Sequence, residues 1–230
     1  MSPQPWPFAE SRRAEIDAHF RAAQAARPAL WNGRVLLLHE HAVAERVMTG
    51  AYFETDFASF LAWRDWGFDD PSVRNAFPQA ALRAADGAFL LGVMGDHTSN
   101  AGKMYFPSGT PDPNDVDGER VDLDANLRRE LVEETGLDAD EFAVAPGWTA
   151  VFDGPRIALF RVVRAAEPAV ALRERVLANF PSVADPELAD IHIVRSPADY
   201  DPRMTGYVAA YLDHVFRRQA PDTGLSVGPG

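Results

Sequence analysis

The chain has 230 residues, 47% of them hydrophobic and 24% charged, which is enough apolar content to bury a real core. A net charge of −12 argues against a broad basic surface for nucleic-acid backbones, and the absence of cysteine excludes disulfides, thiolate zinc sites and thiol nucleophiles. There is no apolar run of 18 or more residues and no cationic start followed by an apolar stretch, so no membrane partner is expected and a cytoplasmic location is the default.

Residues 1–10 are proline-rich and are expected to be poorly ordered. "SRRAEIDAHFRAAQAA" (11–26) reads as a helix started by Ser11, with Ile16, Phe20 and Ala23 on its apolar side, and Pro28 ends it. "RVLLLHEHAV" (34–43) follows as a strand. "ETDFASFLAWRDWG" (54–67) reads as a second helix, capped by Thr55 or Asp56 and closed by Gly67. A boundary is placed after residue 84, giving an N-terminal helix-strand-helix portion (1–84). Beyond it, "AFLLGVMGD" (88–96) is a buried strand and "KMYFPSG" (103–109) its partner. A polar loop leads to a helix at about 124–135. "GWTAVFDGPRIALFRVV" (147–163) alternates on both sides of Asp153-Gly154, a strong hairpin signal. "ALRERVLANF" (171–180) reads as helix, "DIHIVRS" (190–196) as strand, and "YVAAYLDHVFRRQ" (207–219) as a helix burying Val208, Tyr211, Leu212, Val215 and Phe216. Residues 220–230 are expected to form a flexible tail. Interleaved strands, hairpins and helices predict an α/β fold with a mixed sheet.

The stretch "LRRELVEETGL" (127–137) is where local rules fail together. Glu130, Glu133 and Glu134 fall on one side of a helix, and like charges at i, i+3 and i+4 repel. Gly136 marks the helix end, so Glu133 and Glu134 sit at the negative pole of the helix dipole. A bound divalent cation would remove both objections, and such conflicts are expected where function overrides stability.

The run Arg129-Glu130-Leu131-x-Glu133-Glu134-x-Gly136-Leu137 matches, position by position, the second half of the Nudix box, so the chain resembles a Nudix hydrolase over 105–137. The resemblance implies a Nudix-type α/β/α sandwich over 85–219. It also implies hydrolysis of a nucleoside diphosphate linked to another group, with Mg2+ or Mn2+ as cofactor. On this reading Glu133 and Glu134 are metal ligands, and Glu130 is either a third ligand or the base that activates water. Arg129 holds a glutamate in orientation. The loop half departs from the pattern: Gly109 and Arg129 enclose nineteen residues where the family has thirteen. Val121 stands where the usual glutamate falls, with Asp122 or Glu119 as candidates to replace it, and Ser108 replaces a glycine.

A further carboxylate often comes from beyond the box in this family, and Asp153, Glu187 and Asp190 are the candidates. Lys103, the sole lysine, could reach a phosphate. His39, His41 and His97 lack ligand spacing, and Trp31, Trp63 and Trp66 are expected to pack the N-terminal portion against the sheet. "RPALWNG" (27–33), a strand, then "TDFASFLAWR" (55–64) resembles the N-terminal portion of eukaryotic Nudix hydrolases acting on UDP-glucose-type nucleotide sugars. The expected partner is therefore a small nucleoside diphosphate conjugate, with no nucleic acid and no membrane, and a homodimer is left open. The alternative is a non-catalytic Nudix-fold module that binds a nucleotide as ligand or sensor.

Overall fold

A computed structural model describes residues 5–180 and 186–219; the expected tail at 220–230 lies outside the described residues. The chain begins with two helices, α1 (Pro7–Ser11) and α2 (Arg13–Ala26). Residues 5–10 are thus not a loose end: Trp6 and Phe8 are buried, and Trp6 Nε1 donates to Asp70 at 2.8 Å. Ser11 closes α1 instead of starting α2, its hydroxyl donating back to the Pro7 carbonyl at 2.7 Å.

The strand expected at 34–43 is β1 (Arg34–Ala44), and it pairs with an unexpected antiparallel neighbour, β2 (Val47–Asp56). The turn between them is Glu45-Arg46, both at positive φ (49° and 66°), so no glycine or asparagine announces it. Along β1, Val35 and Leu37 face a core shared with Trp6, Ile16, Phe53 and Trp63. Leu36 and Leu38 face the other way, against Ala76, Ile157 and Leu159 of the main sheet. Burial on both faces explains why "RVLLL" shows no alternation.

Helix α3 (Phe57–Asp65) follows directly, capped by Asp56, whose carboxylate accepts from Ser59 N at 2.8 Å and from Arg13 Nη2 at 3.0 Å. Burial pushes the Asp56 carboxyl up, but the Arg13 and Ser59 hydrogen bonds outweigh it and hold the pKa below the ordinary value. A depressed carboxyl contributes stability above its unfolded pKa and loses it as pH falls through the lower, folded one. Asp56→Ala should therefore cost about 1–2 kcal/mol at pH 7, typical of a lost cap, and clearly less at pH 2. Chemical denaturation at the two pH values checks this.

The main sheet runs in the order β11-β4-β3-β10-β8, with β5 pairing β4 and β9 pairing β10. Its members are β3 (Asn75–Arg83), β4 (Phe89–Met94), β5 (Met104–Tyr105), β8 (Ala143–Val144), β9 (Thr149–Asp153), β10 (Arg156–Arg164) and β11 (Leu188–Val194). β3 lies ahead of the boundary drawn after residue 84, so the sheet begins at Asn75 and the N-terminal unit is helix-hairpin-helix. Pro78 conceals this strand, since proline is rarely central in a sheet. β3 pairs in parallel with β10 along its whole length but meets β4 only at Arg83 and Phe89. Asn75 N points to the β10 side, donating to Pro155 O, whereas Ala80 N donates to Pro107 O. By the two-residue period Pro78 shares the Ala80 side, where the β4 ladder is open and no donor is required.

The hairpin at Asp153-Gly154 forms as expected, joining β9 to β10. Helices cover both faces of the sheet: α4 (Leu123–Thr135) and α5 (Ala169–Asn179) on one, α6 (Gly206–Gln219) on the other. Adjacent β10 residues show the division. Arg161 pairs with Asp124 of α4, while Phe160 stacks on Tyr211 of α6 with ring centroids 4.1 Å apart. In α6, Val208, Tyr211 and Leu212 are buried, and Val215 and Phe216 only half so. No helix among the described residues is long and apolar enough to cross a membrane.

Candidate active site

Helix α4 starts at Asp122, whose carboxylate accepts from Asp124 N and Ala125 N at 3.0 Å. It ends at Gly136, which has φ 65°, a left-handed conformation that glycine adopts without steric cost. Leu127 and Leu131 anchor it in the main core. That register turns Glu130 and Glu134 toward the segment leaving β5 and leaves Glu133 on the outer side, so their environments differ sharply.

Glu134 is 4% exposed, and its Oε1 accepts from Ser108 N at 2.9 Å. Its Oε2 is buried without a hydrogen-bond partner. Burial pushes this carboxyl far above the usual range, and Glu130 and Glu187 push it further, against the pull of Ser108 N. Glu130 is pushed up to about 7 by burial, opposed by Arg129, whose Nη1 lies 2.8 Å from its Oε1. A Cβ at Gly109 would collide with the Glu130 carboxylate, so the glycine permits the loop's close approach. Glu133 is the outer member: its side chain is 55% exposed and pairs with Arg129 Nη1 at 3.0 Å.

Arg129 is held in turn by Asp115, with Nη2–Oδ2 at 3.0 Å and Nη2–Oδ1 at 3.2 Å. Asp115 is 3% exposed and also accepts from Asn126 Nδ2 at 2.8 Å and Asp112 N at 2.9 Å. Asp122 and Glu119, the acids named from sequence, make no hydrogen bond or ion pair to Arg129 among the described residues. Asp122 is committed to the helix cap, and Glu119 is exposed at the end of a small hairpin, β6 (Val116–Asp117) and β7 (Arg120–Val121). Six acids lie between residues 112 and 124, and nothing local marks Asp115 among them.

Glu130 opens into a cleft of about 350 Å³ that also takes in Glu187, Lys103, Arg64 and Arg156. Of the three outlying acids named from sequence, Glu187 alone lines it. Asp153 pairs with Arg156 at 3.0 Å, and Asp190 with Arg173 at 2.6 Å. His39, His41 and His97 are outside it. Phe57, Phe60 and Phe68 form one wall, so the N-terminal unit contributes directly to the cleft. Trp63 is fully buried in that unit and Trp66 packs on Phe8 at 5.9 Å, but Trp31 is 81% exposed and packs nothing together.

Carboxylate oxygens are the donors that hard divalent cations prefer. Glu134 and Glu130 are crowded and buried, with Arg129 the cation paired to Glu130, and the unpartnered Oε2 of Glu134 is an open donor, which is the chemistry of such a site. Among the described residues no three carboxylate or imidazole side chains already converge on one point, because Glu133 is turned to Arg129.

Fold and site together define an α/β/α protein with an acidic, helix-borne site facing a cleft of mixed charge. No protein-family model matches the chain, and no curated protein matches it in sequence. Among solved structures it is similar to DR0079 from Deinococcus radiodurans, at 16% identity and TM-score 0.48, over 80% of this chain and 99% of that one. It is also similar to a Nudix hydrolase from M. smegmatis, RenU, at 19% identity and TM-score 0.44, over 79% and 94%. The NUDIX domain of Shewanella oneidensis NrtR, complexed with ADP ribose, matches at 13% identity and TM-score 0.41, over 64% and 88%. At these values the likeness says nothing of residue roles, which rest on the site itself.

Proposed function

We propose that this chain is a metal-dependent pyrophosphohydrolase of the Nudix type, cleaving a nucleoside diphosphate linked to another group by attack of water at phosphorus. The observation that carries the reading is Glu134: a fully buried carboxylate with one oxygen unpartnered, beside Glu130, in the run that matches the Nudix box. Glu130 and Glu134 would hold Mg2+ or Mn2+, with Glu133 as the outer carboxylate of the same helix face. When bound, the ion would neutralise the substrate's phosphates and orient the attacking water. Ser108 N fixes Glu134, and Arg129 and Asp115 fix Glu130. Glu130 and Glu187 both line the cleft, which supports either as the acceptor of water's proton.

Isothermal titration with Mn2+ is expected to show millimolar or tighter binding that Glu133→Gln and Glu134→Gln each weaken. Unchanged affinity in both variants would remove the metal assignment. The aromatic wall from the N-terminal unit supports a substrate with a bulky group beyond the diphosphate, and a nucleotide sugar suits it. Magnesium-dependent product release from UDP-glucose, GDP-mannose, ADP-ribose, NADH, dinucleoside polyphosphates and coenzyme A tests this. A tenfold or greater kcat/KM preference for ADP-ribose or coenzyme A, about 1.4 kcal/mol of discrimination, would reject the sugar. A second reading, a nucleotide-binding module without catalysis, draws support from Arg129, which already neutralises Glu130 and Glu133. Binding without turnover across that panel would favour it.

A further inference from the structure

We propose that Arg64 and Lys103 form a phosphate-binding pair, so that recognition of the substrate's diphosphate is shared between the N-terminal unit and the sheet domain. This rests on the hydrolase reading and adds a function for the N-terminal unit beyond its aromatic wall. Arg64 belongs to α3; Lys103 immediately precedes β5. Both line the cleft that Glu130 enters.

Charge is the first argument. A chain of net charge −12 repels anions, and the cleft itself carries Glu130 and Glu187. A diphosphate can enter only where that repulsion is locally cancelled. A metal on the glutamates would cancel it on one side; the opposite charge would have to come from side chains. Lys103, the sole lysine, is exposed and makes no ion pair among the described residues. An exposed ammonium that lines a cleft and is unpaired among the described residues is available to an anion. The third cation there, Arg156, turns both Nε and Nη2 onto Asp153, at 3.2 and 3.0 Å, whereas Arg64 gives its neighbouring acid only Nε.

The second argument is mechanical. Arg64 uses Nε on the neighbouring Asp65 at 3.0 Å, and its Nη1 reaches Ser99 Oγ at 3.5 Å. Arg27 of the same unit donates from Nη1 to Thr98 O at 3.1 Å. Two arginines of the N-terminal unit thus brace the loop that leads to Lys103. Lys103 N donates to Asn100 O at 3.0 Å, and Asn100 Nδ2 to the Tyr105 hydroxyl at 3.1 Å, tying the loop back to the cleft. The bracing holds the backbone that carries Lys103 against the N-terminal unit before any ligand arrives, so less of the loop has to be ordered on binding. A guanidinium fork and an ammonium point charge are a matched pair for phosphate oxygens.

The test is steady-state kinetics, in magnesium, on whichever nucleoside diphosphate conjugate the wild-type chain hydrolyses best, together with calorimetric binding of inorganic pyrophosphate. Arg64→Ala and Lys103→Ala are each expected to raise KM about tenfold, the scale of one charge-assisted hydrogen bond, with kcat within about threefold. Arg64→Lys should recover part of the loss. Arg217→Ala, on the exposed face of α6, should change neither parameter. Pyrophosphate affinity should fall in parallel and be lost in the double variant. Circular dichroism separates misfolding from lost binding. If the wild-type chain binds pyrophosphate through these residues but hydrolyses no conjugate, the pair stands and the hydrolase reading falls. Unchanged pyrophosphate affinity in a folded double variant would overturn the pair, as would a loss confined to kcat.

Discussion

Glu130→Gln is expected to lower turnover by about 10²-fold or more and yet, in chelator at pH 8, to make the protein harder to unfold. The stability half follows from burial. The Glu130 carboxyl is pushed from 4.5 up to about 7 in the folded chain by desolvation, against the pull of Arg129. A raised acid contributes stability that is fully present below its unfolded pKa and is lost as pH rises through its folded one. Between about 4.5 and 7, at about 1.36 kcal/mol for each pH unit, the apo chain loses roughly 3 kcal/mol through this one group. Glutamine carries no charge to desolvate, so the variant avoids most of that loss. It forfeits one contact to Arg129, which keeps Asp115 and Glu133. The expected net gain is about 2 kcal/mol at pH 8 and close to nothing at pH 4. Saturating Mn2+ should shrink the difference, because a cation supplies the compensation that glutamine makes unnecessary. Urea unfolding at both pH values, with and without metal, checks the stability claim, and single-turnover kinetics checks the chemistry. A variant less stable than wild type at pH 8, with full turnover, would assign Glu130 a structural role.

Asp115→Ala is expected to cost about 3 kcal/mol, more than any single helix cap in this chain. The carboxylate is 3% exposed and gathers donors from Arg129, Asn126 and Asp112 N. Asn126 is fully buried, so truncation strands its amide, and each unsatisfied buried donor costs about 1–3 kcal/mol. Arg129 is 28% exposed and can turn partly to water, which limits its share. The functional consequence goes beyond stability. Arg129 would lose the contact that fixes it over Glu130 and Glu133, so metal affinity and turnover should change with it. Asp115→Asn keeps the volume and can still accept from Asn126, so it should recover about half of the stability and little of the orientation of Arg129. Denaturant midpoints for the two variants, set beside Asp122→Ala at about 1 kcal/mol, give the ranking. Equal costs for Asp115→Ala and Asp122→Ala would show that Asp115 is one more surface acid of its loop.

What the sequence by itself determined here is local. The glutamate helix and its end at Gly136, the hairpin at Asp153-Gly154, a cap at Thr55 or Asp56 (it is Asp56) and the apolar face of α6 are all legible from spacing and turn chemistry. Each depends on dihedral preferences and on side-chain periods within one element. Two strands escaped that reading for the same kind of reason. β2 begins after a turn of Glu45 and Arg46, which carries no turn residues, and β3 holds a proline that only an open ladder tolerates. Tertiary structure alone decided which side chains meet at the site. Asp115 was chosen among several equivalent acids because its loop folds back on Arg129, fourteen residues away. Glu187 enters the cleft from the approach to β11, while Asp153 and Asp190 are drawn off by nearby arginines. The wall of phenylalanines and Arg64 reach the cleft because the base of the β1–β2 hairpin, at Val35 to Leu38, is buried on both faces and seats the N-terminal unit against the sheet. Such meetings depend on contacts between distant parts of the chain, and burial of apolar surface, which has no directional code within a single element, brings them about.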